Sequence, residues 1–366
     1  MHVLNAMFIP GYAGTERAFI DYTWALLARG HTVTAMLHRD APFIDELRRP
    51  GVTVVKAPWG DGPATYHPFQ SLVYEALIDE LAPDVVLAHS EADMFYLRKV
   101  VRGRRPYVTV THLTQVRFSI DADVSVAVSQ GMVERLISAG QSPERVVHIP
   151  PVAHLPLAPS PTPCAWRAPP VIGVLARLSE EKGVDVFLEA LRLLAESGVR
   201  FRAIIGGDGP QRAALTRRIE ETGASAYVEL RGWITDKESF YRDIDVFCLP
   251  SRKEAFGLVL LEAAVRARPI VATDCDGARE LFTASGQAVL VPRDDARALS
   301  NGLAALLRDE QTAVERAVQA RGPIQQRYSM DLLCERVDAL LAYATRVFSE
   351  TTHARRSSPP GMRSHA

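Results

Sequence analysis

Glu254 and Glu262 flank a strand-to-helix turn, Ser251-Arg252-Lys253-Glu254-Ala255-Phe256-Gly257-Leu258. The strand before it ends Asp245-Val246-Phe247-Cys248-Leu249-Pro250. Gly257 lets a bound group approach the backbone. The first N–H groups of the helix, near Phe256, Gly257 and Leu258, favour an anion such as a pyrophosphate. Carboxylates beside a phosphate do not ligate it; they accept hydrogen bonds from hydroxyls, which suits a sugar and a ribose. Spacing alone is met equally well by an ordinary helix with two solvated glutamates.

A second cluster bears on that choice. The strand 171–175 runs into Ala176-Arg177-Leu178-Ser179-Glu180-Glu181-Lys182-Gly183. Arg177 and Lys182 share a strand-to-helix loop and can bracket a diphosphate leaving group. Arg supplies a planar fork and Lys a compact charge. The plainer reading is a solvated basic loop balanced by Glu180 and Glu181. Gly206-Gly207-Asp208-Gly209-Pro210 follows another strand as a tight turn that permits close approach.

These groups need a frame, and the chain supplies one. Short apolar runs alternate with amphipathic ones, the signature of α/β folds with parallel sheets. In the first half the spacing predicts strands over 2–9, 31–37, 52–55, 84–88, 107–111, 123–128 and 146–149, and its clearest helices over 15–29, 69–82 and 129–139. In the second half it predicts strands over 171–175, 200–206, 226–231, 245–249, 269–273 and 287–291, with helices over 184–197, 210–222, 256–267, 294–308 and 330–348. Eight prolines crowd 150–170, so 151–170 reads as a linker. The expected organisation is an N-terminal α/β domain over 1–150, that linker, a second α/β domain over 171–330, a C-terminal helix over 331–348 and a disordered tail over 349–366. Doubly wound sheets bind ligands beyond the carboxyl ends of their strands, so two facing sheets make a cleft.

Composition narrows the function classes. Forty-two Lys and Arg against 43 Asp and Glu leave a net charge of −1, so no global basic field recruits nucleic acid. Cys164, Cys248, Cys275 and Cys334 are scattered without a CxxC and read as thiols in a reducing compartment, hence a cytoplasmic protein. The opening Met1–Pro10 is apolar but short and lacks a basic start, so it reads as a first strand and not a signal peptide. No apolar run reaches the roughly 18 residues that span a bilayer. Arg98-Lys99-Val100-Val101-Arg102-Gly103-Arg104-Arg105 is a basic stretch suited either to anionic headgroups at the inner face of a membrane or to a solvated helix end.

Together these elements resemble the glycosyltransferases of family 4, which have the GT-B fold. The resemblance implies two Rossmann-like doubly wound domains facing across a cleft, with the C-terminal helix crossing back to the N-terminal domain. It runs from about residue 2 to 345 and is strongest over 171–291. The family's Glu, seven residues, Glu pattern is matched by Glu254 and Glu262. Its Arg…Lys-Gly loop is matched by Arg177, Lys182 and Gly183, and its Gly-x-Gly-Pro turn by Gly207, Gly209 and Pro210. A further match is Ala272-Thr273-Asp274-Cys275-Asp276-Gly277-Ala278-Arg279-Glu280-Leu281, where the family's Gly-Gly stands as Asp276-Gly277.

By that resemblance Glu254 contacts the donor hexose, Glu262 contacts the ribose hydroxyls, and Arg177 and Lys182 neutralise the diphosphate. The backbone around Gly232, Trp233 and Ile234 meets the base. Trp233 either stacks on it or packs at its strand end. In the first half, Gly11-Tyr12-Ala13-Gly14-Thr15-Glu16-Arg17 resembles the Gly-rich loop that closes near the phosphates and acceptor. Gly14 is the better match, and Ala13 replaces a second glycine. His112 matches the active-site His that contacts the donor sugar, and His89 lies nearer the expected acceptor side; for each, the plainer reading is a structural residue at a strand end. The donor is a UDP-, GDP- or ADP-sugar, the acceptor carries a hydroxyl, and no cofactor is required.

Breaking a glycosyl–phosphate bond leaves negative charge on the diphosphate. A metal held by Asp-x-Asp is one way to stabilise it, and Asp121-Ala122-Asp123 and Asp243-Ile244-Asp245 match that string. In both, the second Asp opens a buried strand, an ordinary feature of strand starts. Arg177, Lys182 and the helix start supply preorganised positive charge instead, so the expected reaction is metal-free, and the resemblance implies retention of configuration. The rivals are a nucleotide-sugar epimerase or phosphorylase on a similar fold, a non-catalytic binder, and a nicotinamide-dependent oxidoreductase. The last lacks Gly-x-Gly-x-x-Gly after its first strand.

Overall fold

The computed structural model describes residues 1–11, 14–58, 69–112, 116–154, 166–282 and 287–357. The chain divides into two units, Met1–Val152 with Met330–Ala366, and Ala153–Ser329.

The first unit alternates β1 (His2–Met7), α1 (Gly14–Ala28), β2 (Thr32–Leu37), β3 (Val52–Lys56), α2 (Gln70–Leu81), β4 (Val85–Ala88), α3 (Glu91–Val101), β5 (Tyr107–Thr111), β6 (Val124–Ala127), α4 (Gln130–Ser138) and β7 (Val146–His148). Its strands make a parallel sheet ordered β3-β2-β1-β4-β5-β6-β7. The strands read as nearly unbroken apolar runs because both faces of the sheet are covered.

The second unit comprises β8 (Val171–Leu175), α5 (Val184–Glu196), β9 (Arg202–Gly206), α6 (Arg212–Glu221), β10 (Val228–Gly232), α7 (Lys237–Asp243), β11 (Val246–Leu249), α8 (Leu258–Ala264), β12 (Ile270–Thr273), α9 (Asp276–Phe282), β13 (Ala288–Val291), α10 (Ala296–Arg308) and α11 (Glu310–Arg327). Its parallel sheet is ordered β10-β9-β8-β11-β12-β13. Each sheet therefore runs outward from its first strand in one direction and then reverses, which is double winding.

A last helix, α12 (Met330–Ser357), belongs to the first unit. Its Val337, Leu340, Leu341 and Ala344 share a core with Tyr22 and Leu26 of α1 and with Val3, Val85 and Val108 of the sheet. Asp338 fastens it further, 3.1 Å from both Arg29 and His31. The helix continues to Ser357, past the point where composition predicts a tail, because nothing before Pro359 interrupts helical hydrogen bonding. Residues 155–165 of the Pro-rich linker and 358–366 of the tail lie outside the described residues, as does Cys164. No described helix is long and apolar enough to cross a membrane.

Candidate active site

In the second unit the strand order reverses between β8 and β11, so the loops leaving their carboxyl ends stand side by side. That placement brings two of the sequence-derived residues into contact. Lys182 Nζ lies 2.8 Å from Glu254 Oε2, with side chains 21% and 15% exposed. Ser251 Oγ donates to the same carboxylate oxygen at 3.4 Å. Arg252 and Lys253 donate their backbone N–H groups to Glu181 O at 2.8 and 3.2 Å, which fixes one loop against the other.

Close backbone packing extends to the neighbouring loops. A Cβ on Gly207 would stand 1.8 Å from Ala176 O, and one on Gly277 would stand 1.6 Å from Phe256 O. Only glycine permits either approach. Gly277 is thus required by its neighbour whatever precedes it, and the half-buried Asp276 sits at the start of α9.

The cations of this region differ in their commitments. Arg252 spends its fork on Asp185, at 2.8 and 2.7 Å, and reaches Asp294 as well. Arg177 is exposed, and its side chain makes no ion pair or hydrogen bond among the described residues.

Glu262 is 8% exposed and held at both oxygens. Lys237 Nζ lies 2.5 Å from Oε1, and the Tyr241 hydroxyl is 3.0 Å from Oε2. Burial, with the Glu262 charge adding to it, pushes the Tyr241 phenol well above its usual range, so it keeps its proton and can donate. Each carboxylate oxygen retains a further lone pair for a ligand hydroxyl. Lys237 and Tyr241 were not singled out in the sequence. Their four-residue spacing on α7 puts them on one face, but that Glu262 meets this face is tertiary information.

The remaining residues expected on the donor side fall at loop ends. Phe256 is buried against Tyr328, with ring centroids 5.7 Å apart, so only its backbone borders the loop. Gly257 precedes α8 with φ +85° and the half-buried Leu258 opens it. Gly232 O accepts from Gly207 N at 2.7 Å, joining the loops after β9 and β10. Ile234 covers Gly206, and Trp233 is 59% exposed, not packed at its strand end.

The first unit has its own reversal, between β1 and β4. Gly14 opens α1 after β1; Tyr12 and Ala13 lie outside the described residues. His89 leaves β4 immediately before Ser90, the N-cap of α3, whose capping box with Asp93 satisfies the helix start. His112 leaves β5. His89 Nδ1 and His112 Nε2 are 3.1 Å apart, with the rings 15° from parallel. Burial pushes His112 down to about 4, and burial with the His112 neighbour pushes His89 well below its usual value. Both imidazoles are therefore neutral near pH 7.

The two Asp-x-Asp strings are tied to the scaffold. Asp243 meets Arg231 at 2.8 Å and Asp245 meets Arg167 at 2.8 Å. Asp121 meets Arg98 at 2.6 Å, and Asp123 accepts from Tyr107 N at 3.0 Å. The basic stretch is likewise partly spent, since Arg104 lies 2.6 Å from both Glu75 and Asp79. Cys248, Cys275 and Cys334 are free and buried.

Two family models match the chain: glycosyl transferases group 1 over residues 166–322, and glycosyltransferase family 4 over residues 12–155. WcaL of Escherichia coli K12, a protein assigned to colanic acid biosynthesis as a glycosyltransferase, is 35% identical over 192 residues, 50% of this chain and 47% of that protein. A lipopolysaccharide core biosynthesis mannosyltransferase, LpsB of Rhizobium meliloti, is 31% identical over 145 residues, 38% of this chain and 41% of its own. The chain thus spans about half the length of the curated relatives it matches. Among solved structures, Anabaena HepE in complex with UDP-glucose superposes with TM-score 0.78 at 21% identity, over 93% of this chain and 99% of that one. At that identity the likeness establishes the fold. Two matched family models, one for each half, and two doubly wound parallel sheets lead to one conclusion: the chain belongs to glycosyltransferase family 4 and has the GT-B fold.

Proposed function

We propose that the chain moves a hexose-type sugar from a nucleotide diphosphate sugar to a hydroxyl acceptor, with retention of configuration and without a metal. The observation that carries this reading is the Lys182–Glu254 contact, made from the loop that also carries the uncommitted Arg177. A cation for phosphate and a carboxylate for sugar hydroxyls are adjacent there, as a sugar joined to a diphosphate requires. Glu262, with its two remaining lone pairs, suits the paired hydroxyls of a ribose. The exposed Trp233 offers a face to the base, and His112 is assigned to the donor sugar. HepE, crystallised with UDP-glucose, supports a UDP-sugar among the possible donors. The matched relatives named for colanic acid and lipopolysaccharide core synthesis support a cell-envelope glycan or lipid-linked sugar as acceptor.

In this scheme the bond from the sugar's anomeric carbon to the phosphate oxygen breaks, and its electron pair stays on the diphosphate. Arg177 and Lys182 stabilise that charge, in the manner of preorganised electrostatic catalysis. The acceptor oxygen bonds to the same carbon from the departing side, and its proton passes to the leaving phosphate, so no separate base is needed. Metal independence draws support from Asp243 and Asp245, which are held by arginines.

A thermal-shift series against UDP-, GDP- and ADP-sugars tests the donor, since a ligand at 100 times its Kd stabilises by about 2.7 kcal/mol. One nucleotide sugar should raise Tm, NAD should not, and EDTA should leave turnover unchanged. Loss of turnover in EDTA would end the metal-free reading, and conversion of donor without acceptor would point to the epimerase. Lys99 and Arg102 are exposed cations of the basic stretch, although Lys99 lies over the Phe95 ring and Arg102 lies 3.7 Å from Asp121. Co-sedimentation with anionic vesicles at low salt that disappears at high salt is the expected result. No co-sedimentation at low salt removes the membrane from the scheme.

A further inference from the structure

β4 and β5 are neighbouring strands with Ala88 opposite Thr109, so the histidines that follow them meet. One proton lies between His89 Nδ1 and His112 Nε2, and it belongs either to His89 or to His112. The two arrangements differ in what they do to the outer nitrogens. His89 Nε2 is buried and makes no hydrogen bond among the described residues. Phe19 and Tyr22 pack nearly perpendicular to its ring, with centroids 5.5 and 5.1 Å away. If His89 Nδ1 carries the proton, its Nε2 is a bare lone pair. If His112 Nε2 carries it, His89 Nε2 becomes a buried N–H with no acceptor. Among backbone groups an orphaned buried N–H is rarer than an unfilled acceptor, and the same desolvation cost bears on a ring N–H. The first arrangement also leaves the proton of His112 on Nδ1, which makes no hydrogen bond among the described residues.

We propose that His89 is a positioning residue that holds His112 as its Nδ1–H tautomer, so that His112 offers the substrate a hydrogen-bond donor and not a base. The functional half of this rests on the assignment of His112 to the reaction. The surroundings keep the pair neutral. Among the described residues, the titratable groups recorded against it are Tyr22 on α1, whose ring packs on His89, and Asp93 on α3, which accepts from the His89 backbone N–H. Burial pushes the Asp93 carboxyl up to about 8, against backbone donors at His89, Ser90 and Met94. Burial also raises the Tyr22 phenol, so it stays protonated. A donor at His112 agrees with a reaction in which the leaving phosphate takes the acceptor's proton.

Long-range proton–nitrogen correlation spectra of the histidine rings test the tautomer directly, with His112→Gln and His89→Asn used for assignment. The expected spectrum shows His112 protonated at Nδ1 and unchanged from pH 5.5 to 8. An Nε2–H tautomer, or titration of His112 within that range, overturns the proposal. In turnover, His89→Leu should lower kcat about tenfold, the size of one lost hydrogen bond, with the donor KM little changed. His89→Asn, whose amide N–H can replace Nδ1–H, should recover most of that loss. Equal loss in both variants overturns the positioning role. Full turnover by His112→Ala overturns the assignment of His112 to the reaction, and this outcome is independent of the spectra.

Discussion

Replacing Arg177 with alanine is expected to lower turnover about 10²- to 10³-fold, the usual size of one lost preorganised group facing developing charge. Arg177 is singled out over Lys182 by their partners. Lys182 is bound to Glu254, so part of its charge is already answered, whereas Arg177 reaches solvent with no partner among the described residues. The loss should fall mainly on kcat, because charge on the diphosphate grows as the sugar leaves. Arg177→Lys keeps the charge but loses the fork and should lie between wild type and alanine. Release of nucleotide diphosphate under saturating donor measures this. Wild-type turnover in the alanine variant would sink the proposed mechanism.

The second large effect concerns stability. Gly277→Ala places a methyl group 1.6 Å from the Phe256 carbonyl oxygen, and the obstacle is backbone, not a side chain that can swing away. Loop and helix must separate, at a cost on the order of 3 kcal/mol. For a unit of this size that corresponds to a fall in Tm of about 6–12 °C. Nucleotide-sugar binding should weaken with it, because the displaced segment joins Glu254 to α8. Calorimetry on the full chain reads the first effect and donor titration the second. An unchanged Tm would mean that Gly277 and Phe256 do not pack as described.

Much of the frame was legible in the chain. The apolar runs over 171–175, 245–249 and 269–273 correspond to β8, β11 and β12 within a residue, because strands buried on both faces carry a strong signal. α7 and α9, seven residues each, are too short to show a period; α8 is equally short and is legible only from the turn before it, and the 18-residue α11 is absent from the expected helices as well. The expected helix over 256–267 begins two residues before α8, at Phe256, whose ring is committed to Tyr328. For the site, the sequence offered residue types but not their pairings. Lys182 and Glu254 stood as separate grips on phosphate and sugar, yet they hold each other, since strand order and not chain distance decides which loops adjoin. His89 was weighed as an acceptor-side residue on its own, and its bond to His112 exists because β4 and β5 are neighbours. The Lys237 and Tyr241 hold on Glu262 depends on how α7 lies against α8, which no local pattern records.

The return of α12 to the first unit has a consequence for how the protein is made. Val3, Val85 and Val108 leave the ribosome early, but Val337, Leu340 and Leu341, which complete their core, are translated after the whole second unit. The second unit is one uninterrupted stretch and can close its core as soon as it emerges. The first unit therefore starts before the second and is completed after it, and until α12 emerges the apolar face that it covers stays open to chaperones.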